Sequence, residues 1–367
     1  MVEKDLGYRR VQCTGRGSYI ISLPKKWVQD IGLKRGSEIA FSVQSDSTLK
    51  LVPRKLRERT EESEEAKLKE YCVVADPQKD SQSTYRMTKA LYAIGADIIR
   101  IHFRSVEGAE KQKAELKNLA RDTFLGSEVI EETPEEITFQ ILIRHSEFPI
   151  EKAFRRMAIL ALSANRDAIS TLKDRRPELF QSVVNARNDV DRLALYLVRQ
   201  LKWGIERNLF RELGFKTPKE FLLYRIAVNE IKNIGDNAFN IVNSLGTFQK
   251  MVKDQTLVIK EPIDEEIYGQ LLKFNNLAHE QFDEATRAMF KREYKRAEKI
   301  IAKRKSLVTL ENELIILMSS KILDPNIAAI LRLILDSSRR IMDYSKNMAE
   351  LTLNRTVEDL CANYAVK

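Results

Sequence analysis

Two sets of charged side chains in this 367-residue chain have the types and spacing to do chemistry. The first is basic and lies near the start: Arg9, Arg10, Arg16, Lys25 and Lys26. Arg16 stands between Gly15 and Gly17, a tight-turn pattern that leaves an arginine at a loop tip with little steric cover. A guanidinium in that place can reach a base edge, whereas Arg9, Arg10, Lys25 and Lys26 suit phosphate oxygens. The second set is three base–acid pairs with i,i+4 spacing: Arg187–Asp191, Lys232–Asp236 and Arg339–Asp343. On a helix each pair shares one face. Two readings follow: self-satisfied surface ion pairs, or three bases that gather an anion such as phosphate in an inter-helix groove.

Other chemistry is poorly provided for. The histidines are His102, His145 and His279, none near another in sequence, which argues against a His-based zinc site. Cys13, Cys72 and Cys361 are too few and too scattered for a CxxC site or a disulfide framework, and fit a reducing cytoplasm. No Ser/His/Asp set, phosphate loop or tight carboxylate pair is recognisable, so an enzyme is not expected. No apolar run approaches the ~18 residues of a membrane span, and no signal-peptide core is present, so the expectation is a cytoplasmic protein without membrane insertion.

Charge is distributed unevenly. The formal net charge is +9, and residues 1–60 carry about +7 of it. A basic head on a nearly neutral body points to one anion-binding module. The head reads as β-rich. Tyr8–Ile21 suggests a hairpin around the glycine turn; Pro24 opens a short helix as its first residue; Gly32 ends it. Ile39–Val43 and Thr48–Val52 read as strands around a turn at Ser45–Asp46–Ser47. Residues 54–70 are a charge run with little apolar content, read as a solvated linker.

Residues 71–148 alternate strand and helix patterns and read as a small α/β domain, suited to packing, dimer contact or ligand sensing. From 149 to 355 the pattern is helical. Phe154, Met157, Ala161, Ala168 and Leu172 share a face, as do Val183, Val190, Leu193, Leu197 and Leu201. Thr217-Pro-Lys-Glu220 reads as a helix start, with Gly246 as the stop. Further stripes run Ile267, Leu271, Phe274, Phe282, Met289, then Ala297, Ile301, Leu307, Leu314, then Ile327, Leu331, Ile334, Ile341, Met348. Six long helices then form two three-helix units, 149–246 and 263–355, joined by a loop around Lys253–Pro262, with 356–367 as a tail. The two units echo each other: the Ile-x-Asp-x-x-x-Asn spacing of Ile234-Gly-Asp236-Asn-Ala-Phe-Asn240 recurs as Ile341-Met-Asp343 followed by Asn347.

Leu23-Pro24-Lys25, followed by Ile31-Gly32-Leu33-Lys34-x-Gly36-Ser37-x-Ile39, resembles the AbrB/SpoVT family of swapped-hairpin DNA-binding domains over residues 1–53. That resemblance implies a small dimeric barrel interleaved from two copies, and a homodimer on double-stranded DNA. Ile234, Gly235, Asp236, Asn240 and Ile241, echoed by Arg340, Ile341, Asp343, Asn347 and Met348, resemble the signature helices of the PhoU family. The resemblance implies an all-α pair of three-helix bundles, and partners among phosphate, a transporter component or a kinase. In that family Glu-x-x-x-Asp carboxylates can gather iron or zinc. Here Arg187, Lys232 and Arg339 stand where the first carboxylate would be, which repels a cation, so no metal cluster or other cofactor is expected.

The whole chain thus reads as multidomain: a β-rich head, a small α/β domain and a helical body. Together the parts resemble archaeal phosphate uptake regulators. The expected function is DNA-binding transcription regulation of phosphate uptake. The alternative is an adaptor for a phosphate transporter or kinase, its head serving only dimerisation. The +7 charge favours the first.

Overall fold

The computed structural model describes residues 7–13, 15, 17–43, 48–54, 68–78, 81–143, 147–173, 177–254, 264–321 and 324–365. Arg16, the turn at 45–47, the charge run from 55 to 67 and most of the loop from 255 to 263 lie outside them. The chain divides into two compact units, Met1–Leu68 and Lys69–Lys367.

In the first unit β1 (Gln12–Cys13) and β2 (Tyr19–Ile20) pair antiparallel, Gln12 opposite Ile20 and Cys13 opposite Tyr19. The glycines make this turn feasible: Gly17 has φ +78°, a conformation most side chains avoid. Helix α1 (Lys25–Asp30) follows. Pro24 is its N-cap rather than its first helical residue, because ψ of 124° leaves it extended. Gly32, with φ +67°, ends the helix as expected. Strands β3 (Ile39–Val43) and β4 (Leu49–Pro53) form a second antiparallel pair. Among the described residues of one copy these two sheets do not close into a barrel.

The second unit begins with β5 (Glu70–Ala75), α2 (Ser81–Ala93), β6 (Ile98–Phe103), α3 (Ala109–Thr123), β7 (Ser127–Thr133) and β8 (Glu136–Ile141). The sheet order is β5-β6-β8-β7, with β5 and β6 parallel and the rest antiparallel. Ile99, Ile101, Phe103, Ile137 and Phe139 alternate onto the face that α2 and α3 cover.

The helical body comprises α4 (Ile150–Ser170), α5 (Pro177–Glu206), α6 (Glu220–Lys253), α7 (Glu265–Lys291), α8 (Tyr294–Ala302), α9 (Arg304–Ser320) and α10 (Pro325–Ala365). The stripes on α4 and α5 are buried as their periodicity requires, from Phe154 and Met157 through Leu197 and Leu201. The first trio is α4, α5 and α6. The second is α7, the broken pair α8/α9, and α10; the break at Lys303 divides what the periodicity reads as one helix. Helix α6 runs through Gly246 instead of stopping there. A Cβ at Gly246 would meet Phe180 Cε2 at 3.2 Å, so this glycine serves close helix approach. At the other end α6 begins at Glu220, with Thr217–Lys219 forming its lead-in turn. Helix α10 continues to Ala365, so the expected tail is largely helical.

The α/β layer and the helical body form one compact unit because Arg199 of α5 reaches into the layer. Its Nη1 donates to the carbonyls of Tyr92 (3.1 Å) and Ala96 (2.5 Å), and its Nη2 to Asp97 Oδ1 (3.2 Å). The Tyr92 carbonyl, in the last turn of α2, also accepts from Gly95 N–H, and Ala96 lies in the connection from α2 to β6.

Candidate functional site

The head presents several exposed bases that no carboxylate among the described residues holds. Arg9 and Arg10 lie in the extended segment before β1, and Lys25 and Lys26 in the first turn of α1; all four are exposed. Trp27 is half-buried behind the lysines. The same unit exposes Lys34, Arg35 and Lys50, which sequence reasoning passed over. The first two stand in the turn between Gly32 and Gly36, and that glycine-bracketed Lys-Arg was the available signal. None of these seven is held by a carboxylate among the described residues; by contrast Arg54 pairs with Glu38.

Among the described residues the head buries no large apolar side chain. Tyr19 (77% exposed), Phe41 (63%) and Val43 (74%) stand in solvent together with Ile20, Ile21 and Leu49. A unit this small cannot leave such side chains exposed and gain much from folding, at ~25 cal/mol per Å² of apolar surface buried.

The body treats charge in the opposite way. Arg187 and Asp191 on α5 meet Lys232 and Asp236 on α6. Lys232 Nζ is 2.6 Å from Asp191 Oδ1 and 2.8 Å from Asp236 Oδ2. Arg187 Nε is 3.1 Å from Asp236 Oδ1, and its Nη2 is 3.6 Å from Asp191 Oδ2. The helices can approach because Gly235 lies against Val190: a Cβ there would be 3.3 Å from Val190 Cγ1. The result is a closed quartet of two cations and two anions. Burial pushes the Asp236 carboxyl up, but hydrogen bonds from Lys232 and Arg187 outweigh it and hold the group below the ordinary range. Burial likewise disfavours the Lys232 ammonium, and its two carboxylates overcome that and raise its pKa.

The second trio repeats the theme with different members. Arg339 Nη1 is 3.1 Å from Asp343 Oδ2, and its Nε 3.5 Å from Glu311 Oε1. Arg304 of α9 also pairs with Asp343. The fold therefore brings Arg187, Asp191, Lys232 and Asp236 into one cluster and gives Arg339 and Asp343 other partners. The three bases do not converge on one anion. No group of three potential metal-ligating side chains occurs among the described residues. Two carboxylates already bridged by an ammonium and a guanidinium form a poor cation site, since the bound bases must first be displaced.

Between the two trios runs a buried polar seam that the helical stripes did not announce. Asn165 of α4 donates through Nδ2 to Ser337 Oγ of α10 (3.1 Å). Its Oδ1 accepts from Asn275 Nδ2 and from His279 Nε2 of α7, both at 2.8 Å. Asn275 also donates to Ser338 Oγ (2.9 Å). His279 is 2% exposed, and its Nδ1 has no partner among the described residues. Burial, with Arg166 nearby, pushes its pKa down to about 3. The imidazole is neutral and structural. A second buried cluster ties the helix ends: Glu220 at the start of α6 accepts from Arg292 Nη2 (2.6 Å) and from Arg355 of α10.

Comparison with known proteins divides the chain in the same way. Residues 12–59 match the family described as antidote-toxin recognition MazE, bacterial antitoxin. Residues 154–245, the first trio, match the PhoU domain. No curated protein matches the chain. Among solved structures, the crystal structure of PhoU from Pseudomonas aeruginosa matches at 16% identity and a TM-score of 0.44, covering 56% of this chain and 93% of that one. No helix of the described residues is long and apolar enough to cross a membrane.

Proposed function

We propose that this chain is a cytoplasmic, DNA-binding transcription regulator of phosphate uptake, with its output in the basic head and its input in the PhoU-like body. One observation carries the reading: Arg9, Arg10, Lys25, Lys26, Lys34, Arg35 and Lys50 of the head are exposed and held by no carboxylate among the described residues, whereas Arg187, Lys232 and Arg339 of the body are closed into ion clusters. Uncompensated surface bases are what phosphate neutralisation requires. The PhoU-domain match of the body and the antitoxin-family match of the head support the two assignments.

The head is a homodimer in this proposal. Exposed Tyr19, Phe41 and Val43 supply the apolar surface that a second copy buries, as in a swapped-hairpin barrel. Two glycine turns then lie side by side, so that Arg16 of each copy addresses one half of a pseudo-palindromic site. The chain performs no catalysis and holds no metal or other cofactor.

The test is the salt dependence of DNA binding by the full chain. If Arg9, Arg10, Lys25 and Lys26 of both copies each neutralise a phosphate, log K falls against log salt with a slope of about −7. Lys25→Gln with Lys26→Gln halves that slope, and Lys232→Gln in the body leaves it unchanged. Arg16→Ala weakens binding to the preferred sequence while the dimer persists. Absence of binding at low salt, with the dimer intact, would select the adaptor reading.

A further inference from the structure

Strand β5 is an edge of the four-stranded sheet, and its outer side pairs with no strand among the described residues. Its inner side is spent on β6: the Lys69 carbonyl accepts from Ile98 N–H, and the Ala75 carbonyl from Arg104 N–H. Alternation then turns the backbone groups of Glu70, Cys72 and Val74 outward. The side chains of these three are exposed as well, Val74 at 57%. The opposite edge is protected. Strand β7 carries a bulge between Val129 and Glu131 and the acids Glu128, Glu131 and Glu132, devices that keep an edge from pairing. Strand β5 has a regular register, no proline and one charge, Glu70, which Arg100 holds at 2.8 Å.

A second surface continues this edge. Helix α2 lies over β5 and β6, and α3 over β7. Contacts identify the flank of α2 that faces α3. Tyr85 Oη donates to Glu115, Gln112 Nε2 donates to Thr84 Oγ1 at 3.4 Å, and the Tyr92 ring stacks on Phe124 at 4.6 Å. At about 100° per residue, Ser83, Met87, Ala90 and Ile94 share the other flank, on the side of the free edge of β5. That row is exposed and uncharged, with Met87 at 49%; Arg86 and Lys89 stand outside it.

We infer that two copies of the α/β layer join edge to edge, β5 antiparallel to its counterpart and α2 antiparallel to its counterpart. The backbone sets the register. With Cys72 on the two-fold axis, Cys72 lies opposite the other Cys72, Glu70 lies opposite Val74, and the outward groups of all three residues are paired. No like charges are opposed. An axis normal to the sheet keeps the helix-covered faces on one side, so the Met87 rows meet, and Ala90 in the middle of each lets the helices approach. The occupant must bring an unprotected strand with an uncharged helix row beside it, in matching register. A second copy brings both, whereas a foreign strand alone would pair β5 and leave the α2 row in water. Protection of β7 closes the assembly at two. The inference goes beyond the reading of the head and does not rest on it.

The experiment uses the full chain with Cys13→Ser and Cys361→Ser, which leaves Cys72 as the only thiol, and oxidises it with copper phenanthroline. Pairing brings the two Cys72 Cα atoms to about 5.5 Å, within the ~4.4–6.8 Å span of a disulfide. The expected product is a covalent dimer, and mass spectrometry of mixed light and heavy isotope-labelled chains should find Cys72 joined to Cys72 between them. Moving the thiol by Cys72→Ser with Val74→Cys should cut the yield at least tenfold, because position 74 then lies about 14 Å from its counterpart. Met87→Glu with Ile94→Glu should cut the Cys72 yield as much by setting acids across the helix row. Circular dichroism checks that this pair keeps the fold, and the Val74→Cys arm leaves the helix untouched. No Cys72 dimer, equal yields from positions 72 and 74, or a yield indifferent to the helix variant would each overturn the inference. The last two outcomes are those of a dimer held by the head alone.

Discussion

Acidification should loosen the seam between the two trios through His279. The imidazole is buried, and its pKa is lowered from 6.5 to about 3. A neutral group in the folded state becomes a cation once the chain unfolds below pH 6.5. The unfolded chain therefore binds the extra proton, and stability falls as pH drops through the window from 6.5 to about 3. The slope approaches 1.4 kcal/mol per pH unit, so the group removes about 2 kcal/mol between pH 8 and pH 5. Two other groups act with the opposite sign. Burial raises the carboxyls of Glu230 and Glu311, which makes the folded state the better proton binder near their range. Comparison with His279→Gln isolates the histidine, because the amide can still donate to Asn165 Oδ1 while carrying no titratable proton. Urea unfolding followed by circular dichroism at pH 8 and pH 5 should give a difference of differences near 2 kcal/mol. Parallel pH profiles for the two proteins would mean that His279 is solvated or paired, and the seam as described would be wrong.

The closed ion quartet makes two further statements. Calorimetry of the full chain with inorganic phosphate should show no binding heat at Arg187 and Lys232; a heat abolished by Lys232→Gln would restore the anion-sensing reading. Metal analysis of chelator-free protein should find no stoichiometric iron or zinc. Arg199→Leu should destabilise the second unit by roughly 3 kcal/mol, since it strips the guanidinium from the Ala96 carbonyl and from Asp97 Oδ1, leaving Asp97 only the Lys69 N–H and Tyr92 only the Gly95 N–H. Hydrogen exchange should then show α2 opening ahead of α4 and α6; uniform exchange would remove Arg199 from its coupling role.

Much of the architecture follows from local pattern, and the exceptions share a cause. Apolar stripes at helical spacing placed Phe154, Met157, Val183 and Leu197 in the core, because periodicity reports burial directly. Alternation did the same for β6 and β8. Gly246 misled because a helix-ending glycine and a close-packing glycine look alike until Phe180 is beside it. The spacing of Lys232 and Asp236 announced their pair. It could not announce Asp191 to Lys232 or Arg187 to Asp236, which depend on how α5 lies on α6. Buried Lys113 and Arg199 contradict the expectation that charges stay outside. Each is tied to backbone carbonyls distant in sequence: Thr133 for the lysine, Tyr92 and Ala96 for the arginine. Residues whose role is set by one neighbour were legible; residues whose role is set by a second helix were not.

The same distinction bears on how an input at the body could differ between its halves. Both trios carry an aspartate with a base four residues earlier, Lys232–Asp236 and Arg339–Asp343, and both satisfy it with ion pairs. What separates them lies on the outside of the middle helix. The first trio has committed that face to the α/β layer through Leu195, Tyr196 and Arg199, and burying a guanidinium there makes the commitment costly to reverse. In the second, Ile315, Ile316 and Ser319 hold the corresponding places with neither a covering layer among the described residues nor a buried charge. A face without a buried charge can be covered and uncovered at small cost, since only apolar contact and rim ion pairs change. The first trio's outer face is thus fixed to the α/β layer, whereas that of the second stays exposed at Ile316 among the described residues.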